Sequence, residues 1–368
     1  MILARSPYIV TIDEPLQEST RVELFLWNGL SPCPPSPSYS LSKNVPSINN
    51  LTTYYNISPF IREYFDFTQS SPYFIGAPAI ANQYVYANVR VITYYTVDAV
   101  EVALQDDTYI AVDGYGYFED SYNYIGQNIL LTDLSIYGGS NNYYYPCNPA
   151  TGLQEAGRMT IYTEQPTATS DWFVTYTNLE TNATTTITLT NNSVVNIRRV
   201  LSVYESEGNK VEIGYVDSLD PENPVIIGRY YFVPQCECKY DIVTIDFVNR
   251  WGGWQREFFY KASTESVEME NNKFKMNPVP FPDYKLRQPQ YQTFNTNGKR
   301  TIKTNTGWVN ENYKQVVEEL LLSEVIRVNG SPAMLKTKSV DKIKHINQKT
   351  INYQMEFEMA YDIINSIS

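Results

Sequence analysis

The sequence predicts a mostly β protein: two or three antiparallel β-sandwich-like or barrel-like domains, then a short C-terminal unit of one helix and a β-hairpin. Three observations carry this. The stretch TINYQMEFEMAY at 350–361 alternates strictly, with Ile351, Tyr353, Met355, Phe357, Met359 and Tyr361 apolar and Asn352, Gln354, Glu356 and Glu358 polar. A period of two belongs to a strand with one dry face. Across 168–240, short strand-like runs recur between turn residues such as Asn191-Asn192, Gly208-Asn209 and Asp220-Pro221. Tyrosine, which favours strands and joins a large ring to a polar tip, is the outlier of the composition, at 32 against 15 Phe and 5 Trp.

The elements follow in order. Strands are expected at 8–13 and 21–27. In the second, Val22, Leu24 and Leu26 alternate with polar residues, but Phe25 and Trp27 make the other face apolar too. The run SPCPPSPSYS excludes both a helix and a central strand. A short helix should begin with Ser58 as N-cap and Pro59 at its first position, burying Phe60, Ile61, Tyr64 and Phe65. Strands at 87–97 and 99–112 complete a sandwich-like domain, and the Tyr/Gly/Asn-rich 113–152 reads as loops and hairpins carried on it.

Runs at 172–176, 184–190, 200–204, 210–216 and 225–233 read as an antiparallel sandwich or barrel. It continues through 240–247 and 255–260, around the turn NRWGGW. Pro278, Pro280, Pro282 and Pro289 mark a linker or extended arm. The last unit opens with a helix at 311–323, capped by Asn310, with Val316, Val317, Leu320 and Leu321 inward and Lys314, Glu318 and Glu319 outward. A strand at 325–328 leads to the terminal hairpin. There Ile343 should lie opposite Ile351, Lys338 opposite Glu356 and Lys336 opposite Glu358. The resulting domains are 1–165, 166–275 and 276–368.

With 368 residues and 43% hydrophobic content, the chain can bury proper cores. Its net charge of −12 is unevenly spread: residues 1–240 hold 11 basic against 25 acidic side chains, and 241–368 hold 17 against 15. An acidic body argues against nucleic acid, whose phosphates demand Lys and Arg. Four cysteines make no disulfide framework in a chain this long, so reduced thiols are expected. Cys236 and Cys238 lack two further ligands, and the only histidine, His345, is distant, so neither metal nor cofactor is expected.

No Walker loop, dinucleotide fingerprint, HExxH or nucleophile elbow occurs. The acidic pairs Asp106-Asp107 and Glu119-Asp120 are too ordinary in an acidic chain to argue for glycoside hydrolysis, so the reading is not an enzyme. The first residues lack the apolar core of a secretory signal, and no run of about 18 apolar residues occurs, so membrane insertion is not expected and the chain should fold in a cytoplasm.

What remains is surface for other molecules. Tyr143, Tyr144 and Tyr145, in the Tyr-rich stretch, suit a protein–protein rim. Trp251 and Trp254, in VNRWGGWQREFF, are either a platform for a sugar or partner, or a hairpin capping a core. Tyr353 and Phe357 belong to the dry face of the last strand and face a core or a subunit interface.

The segments RSPYIV, LFLWNG, LSKNVPSINNLTTYYNISPFIREYF, VNRWGGWQREFF, NTGWVNENY with LLLSE, and TINYQMEFEMAYDIIN together resemble a virion protein of tailed bacteriophages, especially those infecting Bacteroidota. The resemblance reaches both ends and the middle. It implies a non-enzymatic, tail-associated structural subunit, a baseplate, tail-hub or collar component, assembled into a homo-oligomeric ring in the host cytoplasm. Its partners would be copies of itself and adjacent virion proteins. The alternative is a carbohydrate-binding adhesin or tail-fibre module that touches a host surface glycan through the Tyr-rich loops.

Overall fold

The computed structural model describes residues 1–27, 32–47, 51–65, 79–80, 86–120, 142–146, 158–163, 170–189, 196–201, 208–217, 219–236, 239–276, 287, 289–310, 313–339 and 350–365. The fold is mostly β, built from several antiparallel sheets with two short α-helices. The chain forms two compact units, Met1–Cys236 with Phe247–Arg256, and Glu237–Asp246 with Glu257–Ser368. The divisions read from sequence at 165 and 275 both fall inside one of these units.

The first unit begins with β1 (Ile2–Leu3), β2 (Ile9–Ile12), β3 (Ser19–Trp27), β4 (Tyr39–Asn44), β5 (Thr53–Asn56) and α1 (Ser58–Arg62). It continues through β6 (Ala79–Ile80), β7 (Tyr86–Val97), β8 (Val100–Val112), β9 (Asn142–Pro146), β10 (Arg158–Thr163), β11 (Ser170–Asn178), β12 (Thr184–Leu189), β13 (Asn196–Leu201), β14 (Asn209–Asp217) and β15 (Asp220–Gln235). One sheet has the order β1-β8-β7-β3-β4, antiparallel except for β1 against β8.

Alternation does what the sequence predicted on the inner face. Val22, Leu24, Leu26, Val89 and Val91 point into a core that the β2–β5 pair and α1 supply with Ile12, Tyr55, Ile57 and Ile61. Each such side chain, removed from water, contributes about 1.5–3 kcal/mol. Polar groups buried beside it are satisfied: Tyr55 Oη donates to the Thr20 carbonyl at 2.8 Å, and the Thr20 and Thr53 hydroxyls bond each other at 2.8 Å. α1 differs from expectation, because Ile57 is its N-cap and Ser58 lies inside the helix, donating its hydroxyl to the Ser6 carbonyl at 2.6 Å. β7 and β8 are joined by Asp98 and Ala99, both left-handed at φ +51° and +61°.

A second sheet, β12-β11-β14-β15-β9, is antiparallel except for β9, which runs parallel to β15 with Phe232 opposite Tyr143. Trp172, Val174, Tyr176, Val211, Ile213, Tyr230 and Phe232 are buried on it. β10, β13 and β6 form a small third sheet. β13 begins four residues before the strand expected at 200–204 and shares 200–201 with it; 202–204 lie outside the described residues. Cys33 is a free thiol, but Cys236 is disulfide-bonded, which corrects the expectation of reduced thiols throughout; its partner lies outside the described residues.

The remaining strands are β16 (Val243–Val248), β17 (Trp254–Phe259), β18 (Thr264–Lys275), β19 (Tyr291–Asn310), β20 (Ile326–Val328), β21 (Ser331–Leu335) and β22 (Thr350–Met359), with α2 (Lys314–Leu322) between β19 and β20. They form a seven-stranded sheet in the order β17-β16-β20-β21-β22-β19-β18. β22 lies between β21 and β19 and buries Ile351, Tyr353, Met355 and Phe357, the face its alternation predicted.

The expected register is off by two residues. Leu335 lies opposite Phe357, so Lys336 meets Glu356 at 3.1 Å, and Glu358 takes Lys299 of β19 at 2.8 Å instead. The hairpin positions 340–349 lie outside the described residues. α2 is shorter than expected and its N-cap is Tyr313, without a side-chain cap bond. It buries Val316, Val317 and Leu320, but Glu319 is buried as well and Leu321 is only half-buried. Gln315 Nε2 donates to Glu319 Oε1 at 3.1 Å, one bond that helps to hold the carboxyl there.

Candidate functional site

Of the seven residues nominated from sequence, five are buried. Tyr143 and Tyr145 are 2% and 1% exposed, because β9 turns alternate residues inward against β15. Tyr143 Oη donates to the Arg256 carbonyl at 2.7 Å, and its ring meets Phe232 edge-on at 5.7 Å. Only Tyr144 between them is accessible, at 47%. Tyr353 stacks on Tyr313, and Phe357 is wholly buried. These are core residues, and the surface offered to a partner has to come from elsewhere.

The WGGW turn separates its two indoles. Asn249 organises the loop, its Oδ1 accepting from Trp251 N at 3.0 Å and Gly253 N at 3.2 Å. Gly252 takes φ +74°, with the backbone of Asp113 so near that a Cβ would meet it at 2.9 Å. Trp254 is buried, while Trp251 is half-exposed. The Arg250 guanidinium lies 4.8 Å from the Trp251 ring and 4.5 Å from that of Tyr117. The guanidinium is thus set for cation–π contact with both rings.

An accessible surface with apolar content is a feature that the sequence did not announce. β18 is the terminal strand of its sheet, and all twelve of its residues are exposed. Its partner β19 is twenty residues long, and its first six residues are exposed too. Val267, Met269, Phe274, Tyr291 and Phe294 stand 44–66% exposed on this ribbon, and Phe274 meets Phe294 at 5.7 Å. One face carries charge: Lys336 pairs with both Glu268 and Glu356, and Lys299 pairs with Glu358.

The ribbon is fixed at its root rather than loosely attached. Asn297 exchanges bonds with Ile364, its Oδ1 accepting from N and its Nδ2 donating to O at 3.0 Å each, and Ile363 N donates to the Gly298 carbonyl at 2.8 Å. A polar-edged ribbon whose outer side pairs with no other strand among the described residues is a template for another strand.

A groove of about 630 Å³ opens elsewhere in the same unit, beside the end of α2, where Leu322 and Met334 are half-exposed between Glu318, Glu324 and Lys338. No set of three or more His, Cys, Asp or Glu side chains suited to a metal occurs among the described residues. His345 lies outside them, as does most of the Tyr-rich stretch at 121–141. No helix among the described residues is long and apolar enough to cross a membrane. Comparison with protein-family models and with characterised proteins finds no match to this chain.

Proposed function

We propose that this chain is a non-enzymatic structural subunit of a tailed-bacteriophage particle, a tail, baseplate or tail-hub ring component that assembles with copies of itself and with neighbouring virion proteins. The observation that supports this best is the β18–β19 ribbon. An edge strand with twelve exposed residues and five accessible large apolar side chains on the ribbon serves no core within its own chain. Adding a strand or a flat surface from a neighbour would satisfy its free backbone groups and cover Met269, Phe274 and Phe294. The phage assignment itself comes from the sequence resemblance.

Imaging the purified protein by negative stain beside intact particles tests the reading. Rings, or particle density that an antibody to this chain labels, are expected. A monodisperse monomer that binds a glycan array and is absent from particle density would replace the reading with the adhesin.

A further inference from the structure

In the first unit, a cavity of about 150 Å³ lies between β2 and the β7–β8 hairpin, lined in part by Tyr8, Thr11, Thr93, Gln105, Asp107 and Tyr109. Two features mark it as more than a packing gap. Thr93 is 3% exposed, yet its hydroxyl has no hydrogen-bond partner. A buried hydroxyl without a partner costs stability, so its retention calls for a reason. The second is the Asp107 carboxylate. Its Oδ2 accepts from Tyr109 Oη at 3.0 Å and also from Gln105 Nε2, while Oδ1 takes no bond among the described residues.

No Lys or Arg lines the cavity among the described residues. The rings of Tyr8 and Tyr109 meet edge-on at 5.8 Å and form the wall. Burial, with Tyr8 and Asp107 alongside, pushes the Tyr109 phenol up, so it keeps its proton and donates to Asp107 while its oxygen can still accept.

We propose that this cavity receives a primary ammonium group, with Asp107 as its counter-ion and Thr93 Oγ1 and Tyr109 Oη as the other acceptors. An ammonium brings three N–H donors and no acceptor, which matches three oxygens, two of them unused by the protein. The tyrosine rings add the electrostatic attraction of aromatic faces for a cation. Anions are excluded by the sole charge being a carboxylate. A divalent metal would want further acidic or carbonyl oxygens than one carboxylate supplies. Gln105 is exposed at the mouth, so the group enters from solvent, as a free alkylamine or as the lysine side chain of another protein. The inference is independent of the virion reading.

Ligand-observed NMR on the full chain, titrated with butylammonium chloride against 1-butanol at matched ionic strength, tests it. Saturable binding of butylammonium with Kd on the order of 1–10 mM is expected, with 1-butanol at least about tenfold weaker. Asp107→Asn should lose about tenfold or more, and Thr93→Val several-fold, with the circular dichroism of each unchanged. A blocked peptide Gly-Lys-Gly that binds more tightly than butylammonium identifies a lysine as the source; equal affinity identifies a free amine. Equal binding of 1-butanol to the unaltered chain, retention of affinity in Asp107→Asn, or displacement by sodium as effective as by butylammonium would each overturn the proposal. The butanol comparison needs no variant, so it decides even where a substitution impairs folding.

Discussion

β18 and β22 flank the same strand, β19, and the two could hardly differ more. β22 is sandwiched between β21 and β19, and its odd-numbered residues Ile351 to Phe357 are at most 7% exposed. β18 has one neighbour among the described residues, and no residue of it is buried. Both make an antiparallel ladder with β19 over many residues. Backbone pairing alone therefore does not separate a strand that stabilises the unit from one that is left for something else; side-chain burial does, because each hydrogen bond merely replaces one made to water.

The comparison can be broken from its strong side first. Phe357→Ala should cost about 3–5 kcal/mol in urea unfolding, since the ring is wholly buried. A loss under about 1 kcal/mol would mean that β22 is as dispensable as β18. Tyr145→Ala, in the first unit, should likewise cost about 3 kcal/mol, while Tyr144→Ala, one position along the same strand, should stay within about 0.5 kcal/mol. Equal losses would overturn the alternation of β9.

On the exposed side, Phe274→Ala should cost no more than about 1.5 kcal/mol, the range of an aromatic pair, through its contact with Phe294. Met269→Ala should cost less than about 0.5 kcal/mol yet weaken self-association or incorporation into particles, read by analytical ultracentrifugation and by particle composition. If association is unchanged, the ribbon is not the contact.

The smallest effect sharpens the other sheet. Arg21 holds the Glu101 carboxyl below the usual carboxylate range through hydrogen bonds, and Arg90 does the same for Asp106. A carboxyl whose folded pKa is depressed stabilises the fold above its ordinary value and loses that contribution as pH falls through the depressed one. All four groups are substantially exposed, so the pairs are screened by water and salt. Unfolding midpoints should fall modestly between about pH 5 and 3, and Glu101→Gln should remove part of that slope.

What could be read from the sequence tracks the same divide. β7 and β22 were legible because a dry face writes alternation into the chain; β8 was read as a strand as well, although its first seven residues are exposed. β18 and β19 were not: a strand wet on both faces has no period to detect, as in TESVEMENNKFK and the first six residues of β19, and no strand was expected in the rest of β19 either. Tyr143 and Tyr145 were taken for surface because alternation is invisible when all three neighbours are tyrosine. The parity of the terminal strand was legible while its register was not: several offsets bring a Lys to a Glu, and the one realised is decided by β19, which sequence proximity does not reveal. The buried Glu319 carried no warning either, since i, i+3/i+4 spacing marks apolar positions and says nothing of a carboxyl that finds Gln315.

The reversal at Asp98-Ala99 has a consequence for how fast the molecule forms. A two-residue turn with both members left-handed matches the twist of a hairpin, and asparagine followed by glycine adopts it most readily. Here an alanine is held in a region that costs it roughly 1–2 kcal/mol. β7 is the strand on which both β3 and β8 assemble, so closing this hairpin precedes the long-range pairing of the sheet. The sheet thus carries a strained residue at its most local pairing, and Asp98→Asn with Ala99→Gly should relieve it, raising the refolding rate in stopped-flow more than it slows unfolding.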